Sequence, residues 1–211
     1  GFTPEIIDYE AMKAAELQTR AAIFVVSSES MPAAAQAALA EYVAGGGRLI
    51  CSGCMPYLDE QLRPCTILED ALRVRYAAAS FAAAEQEKIT FEGVEYCINQ
   101  NIQRHISGGT AVAFRTADGS PAAVRAENCL ILPFQINVLF RTLPELIRNL
   151  LLEMGVAPAC RMGTHLLVIP KETGKAVILN LHPCSVQEEL EIHGRHVPCT
   201  MDPYSYQIVE L

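Results

Sequence analysis

A chain of 211 residues with 51% apolar and 19% charged side chains is long enough to bury a full core and too apolar to stay disordered. Its net charge of −8, with no lysine- and arginine-rich face, argues against a nucleic-acid partner, because neutralising phosphates needs cations. No apolar run approaches the roughly 18 residues of a membrane-spanning helix, so no membrane partner is expected either.

The opening Phe2-Thr3-Pro4-Glu5-Ile6-Ile7-Asp8 reads in two ways. It is either the connection after a strand and helix lying upstream, so that the sheet lacks its first βα unit and the chain is an excised piece, or a first strand over Ile6–Asp8. Tyr9–Gln18 reads as a short helix. Ala22–Val26, five apolar residues in a row, predicts a strand buried on both faces. Behind it, Met31, Ala35, Leu39, Tyr42 and Val43 fall on one helical stripe, with Ser30 as amino-terminal cap and Gly45–Gly47 as the left-handed exit. A second buried strand, Leu49–Cys51, completes a βαβ unit, which demands parallel pairing.

After the turn Ser52-Gly53-Cys54-Met55-Pro56 and the polar stretch Tyr57–Arg63, Leu68, Leu72 and Val74 predict a helix over Thr66–Arg75 with Glu69 and Asp70 on its wet side. Ala77–Gln86 permits helix but carries no stripe. From Lys88 the apolar period becomes two. Ile89–Phe91 and Val94–Cys97 form one hairpin about Glu92-Gly93, and Ala111–Arg115 and Ala122–Arg125 another about Asp118-Gly119. Cys129–Leu132 returns to an all-apolar strand, followed by a helix that buries Leu143, Ile147, Leu150, Leu151 and Met154 and stops at Gly155. Past Ala157 only strands are expected: His165–Pro170, Ala176–Leu181, Glu188–His193 and Ser205–Val209, with a turn at Glu172-Thr173-Gly174. The expected division is an α/β domain over 1–156, with a mostly parallel sheet and an inserted antiparallel patch, and a small antiparallel β domain over 157–211.

Eight cysteines in a chain this long do not make a disulfide scaffold, and a reducing, cytoplasmic setting is expected. Cys51-Ser52-Gly53-Cys54 is a CxxC at the end of a strand, where oxidoreductases keep their thiols; a thiol enzyme using Cys51 or Cys54 is therefore one alternative. Pro56 and the polar loop behind it do not supply the helix that such chemistry uses. His105, His165, His182, His193 and His196 show no metal-ligand spacing, and no metal or cofactor is expected. Asp59 with Glu60, and Glu69 with Asp70, are adjacent pairs that point apart on a helix, whereas glycoside hydrolysis needs carboxyls facing one another across about 5–9 Å. They read as solvated charges, and no catalytic residue is assigned. The strand ends place Ser27, Ser28, Glu29, Ser52 and Gly53 at one rim, the usual ligand position of a parallel sheet and a second alternative, a small-ligand site.

The run Ile23–Val26, then Glu41-Tyr42-Val43-Ala44-Gly45-Gly46-Gly47-Arg48-Leu49-Ile50, then Gly53 through Pro56 to Asp59, resembles the class I glutamine amidotransferase-like domain behind the catalytic barrel of bacterial β-galactosidases and related glycoside hydrolases. Lys175–Pro183 is similar to the strand opening the small β domain that follows it there. The resemblance implies a flavodoxin-like sheet, an upstream catalytic barrel of the same polypeptide as partner, a homo-oligomer, and no catalysis by this portion itself. The cysteine elbow of true amidotransferases has no counterpart here, since Ser52 and Cys54 are not flanked by glycine on both sides.

Overall fold

The computed structural model describes residues 5–81, 87–98, 102–134, 142–156, 160–161, 166–171 and 173–211. Expectations resting on Phe2–Pro4, His165 or Glu172, on 82–86, and on the side chains of Leu143 and Ile147 lie outside the described residues. Two compact units are present, Ile7–Val156 and Ala157–Leu211, the latter joined by the start of the chain.

In the first unit the order is α1 (Ala14–Leu17), β1 (Ile23–Ser27), α2 (Ala33–Ala44), β2 (Leu49–Gly53), α3 (Ile67–Leu72) and β3 (Arg75–Phe81). There follow β4 (Glu87–Phe91), β5 (Val94–Ile98), β6 (Ile102–Ser107), β7 (Thr110–Arg115), β8 (Pro121–Ala126), β9 (Cys129–Leu132) and α4 (Thr142–Glu153). The βαβ expectation holds: β1 lies parallel to β2 with Val25 opposite Cys51, and β9 lies parallel on the other side with Ile131 opposite Cys51. The α2 stripe is buried as its spacing predicts.

The sheet as a whole is mixed, of order β1-β2-β9-β8-β7-β4-β5. Its parallel part stops at β9, because β8 returns directly into β9 as an antiparallel pair, Ala126 opposite Cys129, with no crossover between them. The two expected hairpins are there, but they extend the same sheet and are not a patch inserted beside it. Their period-two faces explain this. Ile89, Phe91, Tyr96, Ile98 and Ala113 join Ile50, Leu130 and Leu132, with Leu146 and Leu150 of α4, in one core. On the other face Val25, Leu49, Cys51 and Ile131 pack with Leu39 and Tyr42 of α2 and with Leu68 and Leu72 of α3.

Five local expectations are corrected. The strand expected to be buried on both faces over Ala22–Val26 is β1, an edge strand that leaves Phe24 and Val26 exposed. Ile6–Asp8 forms no strand; the chain instead makes a 3-10 turn over Tyr9–Ala11, whose Tyr9 hydroxyl reaches Val26 O at 3.5 Å. Ser30 does not cap α2, because its backbone is bridged to Leu58; the first free amide, Ala33 N, donates to Glu60 Oε2 at 3.0 Å, and a carboxylate suits that helix end. The helix over Thr66–Arg75 is shortened to α3 by Arg73 in the left-handed region. Arg75–Phe81 is strand β3, paired with β6, so the alanines there build a strand and not a helix.

The second unit contains β10 (Cys160–Arg161), β11 (Leu166–Lys171), β12 (Lys175–Asn180), β13 (Val186–Ile192), β14 (Arg195–Met201) and β15 (Tyr206–Glu210). They form two antiparallel three-stranded sheets, β10-β13-β14 and β11-β12-β15. Leu166, Val168 and Ile178 of one sheet meet Leu190, Ile192 and Met201 of the other in a shared core. Strand β14 carries no clean strand pattern because Pro198 interrupts it; the proline sits on an outer strand of its sheet, where a missing N–H is tolerated.

Candidate functional site

At the carboxyl ends of the parallel strands, Ser27 lies opposite Gly53. The chain after β2 then keeps pairing with the chain after β1. Cys54 N donates to Ser27 O at 3.2 Å, Tyr57 N and Leu58 N to Glu29 O at 3.0 and 3.1 Å, and Met31 N to Leu58 O at 3.0 Å. This extension fixes both loops around a cavity of about 330 Å³ lined by polar Ser27, Ser28, Glu29, Ser30 and Cys54 and apolar Leu58 and Leu62. Of the rim read from the sequence, Ser27, Ser28 and Glu29 line it. Ser52 and Gly53 do not, since Ser52 Oγ and Gly53 N both donate to Phe134 O at 2.9 Å beneath a buried stretch.

The groups available at this cavity are hydroxyls, a thiol, a carboxylate and two leucine side chains. Ser27 Oγ, buried, donates to the carbonyl of Cys54, and Ser28 Oγ to Ser30 O at 3.4 Å. Each hydroxyl proton is held by a carbonyl, which is no base, so neither serine is activated for attack. Glu29 supplies an exposed carboxylate beside Leu58 and Leu62, which suits a small cationic or hydroxylated ligand.

Cys51 stands in mid-sheet between Val25 and Ile131. Burial, and secondarily the neighbouring Cys129, push its thiol far up from the ordinary value, while burial pushes Cys129 up to about 12. A nucleophilic thiol needs the opposite shift. Cys54 is also buried, with its Sγ 3.4 Å from Met55 O, and Cys51 and Cys54 are free thiols, not a disulfide. Among the described residues no three His, Cys, Asp or Glu side chains gather closely enough to hold a metal ion. His105, His182, His193 and His196 are exposed.

Two carboxylates expected to be solvated are buried and structural. Asp59 Oδ1 accepts from Arg63 N at 2.9 Å and Gln61 N at 2.8 Å, and its Oδ2 from Arg63 Nε at 2.9 Å. The Arg63 amide foremost, then the Gln61 amide and the Arg63 side chain, hold this carboxyl below its ordinary value. Glu69 is raised by burial, partly offset by Tyr76 N at 3.5 Å and the Arg75 guanidinium at 3.7 Å. Both serve the loop and turn around α3. Asp59 and Arg63 at a four-residue spacing, between Pro56 and Pro64, were the available signal for this loop.

Residues 2–121, over half of the chain, match the family described as the GLMA-like second domain. The chain is 32% identical over 114 residues to an exo-β-D-glucosaminidase of Pyrococcus horikoshii, a match covering 52% of this chain and 15% of that protein. It is 29% identical over 114 residues to the exo-β-D-glucosaminidase of Thermococcus kodakarensis, covering 52% and 14%. In fold it is similar to Gan42B, a GH42 β-galactosidase from G. stearothermophilus, with a TM-score of 0.74 at 12% identity over 92% of this chain and 32% of that one. It is likewise similar to a β-galactosidase from Bacillus circulans, with a TM-score of 0.66 at 16% identity over 88% and 32%. The matched portions are thus a minor part of each curated relative's length.

Proposed function

The chain belongs to the GLMA-like second-domain family, and from that membership we propose that it is a non-catalytic portion of a glycoside hydrolase that supports the architecture and oligomerisation of the full enzyme. The observation that carries this reading is the coincidence of two matches. The sequence family spans residues 2–121, while the fold continues through 92% of the chain in an enzyme of which it makes up 32%. The parent enzyme acts on β-linked galactose or glucosamine units and places its catalytic barrel upstream of these residues. The parallel strands β1, β2 and β9, with helices packed on both faces, are what remains of an amidotransferase-like, flavodoxin-type layer. Free thiols at Cys51, Cys54 and Cys129 favour a reducing, cytoplasmic setting.

Ser27 and Asp59 hold the loops after β1 and β2 in place, which is the work a supporting domain asks of them. The test uses the polypeptide encoded by the natural reading frame containing these residues. Ser28→Ala and Glu29→Gln should leave kcat/KM on aryl β-glycosides within about twofold of wild type, below the about tenfold expected per lost 1.36 kcal/mol. Light scattering on the same samples should report an oligomer. A hundredfold fall in kcat with folding intact would move the rim into the active site and sink the non-catalytic reading.

A further inference from the structure

The two outer faces of the smaller sandwich are unlike. On β13 and β14 the side chains opposite to the core are Gln187 paired with Thr200, Glu189 with Pro198, and Glu191 with His196. That is the polar exterior which water demands of a half-buried antiparallel sheet. On the other sheet two of the three outward rows are apolar across all three strands. Leu167, Leu179 and Tyr206 form one row across β11, β12 and β15, and Ile169, Val177 and Ile208 form the next. The alternate positions Leu166, Val168, Ala176 and Ile178 already fill the core, so this sheet is apolar on both faces. Such a pattern belongs to a sheet lying between two layers. Yet Tyr206 is 72%, Ile208 58% and Leu167 42% exposed. At one end of this face stand Lys171, Lys175 and Glu210, with Lys175 and Glu210 3.6 Å apart, and at the other end Leu181 and Tyr204 are exposed, so the apolar area is closed by charge on one side.

We propose that this face is the docking surface for another domain of the same glycoside hydrolase polypeptide, an inference that rests on the function proposed above. Area selects the occupant. Three strands about 4.8 Å apart and two rows about 6.8 Å apart span on the order of 200 Å². A second, untethered copy needs about 800 Å² per partner for a stable pair. A domain on the same chain is held at an effective concentration near the millimolar range, where a small apolar contact suffices. Chain enough for such a domain exists in proteins of this kind, since the matched portion is 32% of Gan42B. The occupant presents a complementary apolar patch, and it shields Tyr206 and Ile208 from solvent.

Hydroxyl-radical footprinting tests this on two samples, the present chain and the polypeptide of its natural reading frame. Oxidation of Leu167, Leu179, Tyr206 and Ile208 should fall several-fold in the longer polypeptide, while His196 on the opposite sheet stays equally reactive. The double variant Tyr206→Lys with Ile208→Lys should keep the melting temperature of the short chain and lower that of the long one. Unchanged oxidation in a longer polypeptide that hydrolyses aryl glycosides overturns the docking surface and leaves the proposed function standing. Protection in a longer polypeptide without glycosidase activity supports the surface and removes the proposed function. Dimerisation of the short chain that the double variant abolishes, or retention on chitin or galactan beads that Tyr206→Ala abolishes, overturns the inference in favour of a second copy or a sugar platform.

Discussion

Gly47 is fixed by a neighbour and not by its torsion. A Cβ there would lie 2.5 Å from the ring of Tyr42, whose hydroxyl donates to Arg20 O at 3.1 Å and accepts from Arg48 N at 3.1 Å. The ring thereby joins the end of α2 to the start of β2. Gly46 is the opposite case, with a φ of +88° and open space around the missing side chain. Gly46→Ala therefore costs a left-handed torsion, about 1–2 kcal/mol, and Gly47→Ala costs overpacking, about 1–3 kcal/mol. The two are separated by urea unfolding in a Tyr42→Ala background. There the Gly47→Ala penalty should largely vanish while the Gly46→Ala penalty persists; equal persistence of both would contradict this account of the ring. The triple glycine was legible as a helix exit. Which glycine turns and which yields space was not, because the position of the Tyr42 ring depends on Arg20 and Arg48.

Among the elements, the antiparallel part of the large sheet is tied together by one buried ion pair. Arg115 at the end of β7 is buried, donating from Nε to Glu87 Oε1 at 2.5 Å and from Nη1 to Pro121 O at 2.9 Å. It ties β4 to β7 and β7 to the start of β8. Removing the carboxylate leaves a buried guanidinium without its main counter-charge, so Glu87→Ala should destabilise the chain by about 3–5 kcal/mol. Equilibrium urea denaturation reads this directly, and a loss under about 1 kcal/mol, the range of an exposed pair, would show that water replaces the carboxylate. Strand positions in this region were readable from alternation alone, as at Ile89, Phe91, Tyr96 and Ile98. Their sheet partners were not. Alternation fixes which side of a strand is buried, but whether β8 pairs with β9 or with a separate layer is set by the short return at Glu127-Asn128, with Glu127 at a φ of 52°. The same limit hid the caps: Ser30 had the right chemistry for α2, yet Glu60, 27 residues beyond Ala33, does the work.

For the whole molecule, the rim at the parallel strand ends was half legible. The general rule for such sheets pointed to Ser27, Ser28 and Glu29, which line a cavity, but it could not foresee that Phe134 O would take up Ser52 and Gly53. The CxxC pair illustrates the reverse. Its spacing suggested thiol chemistry, while its place in mid-sheet raises the Cys51 thiol instead of lowering it. What remains is a molecule whose buried charged groups are occupied in holding loops and strands, in a family found within much longer glycoside hydrolases. The most direct measurement is the hydrolysis of aryl β-D-glucosaminide and aryl β-D-galactoside by this chain and, side by side, by the polypeptide of its natural reading frame. The account predicts turnover by the longer polypeptide and none above the uncatalysed rate by this chain. Turnover by the isolated chain, or a longer polypeptide inert to both substrates, would contradict it.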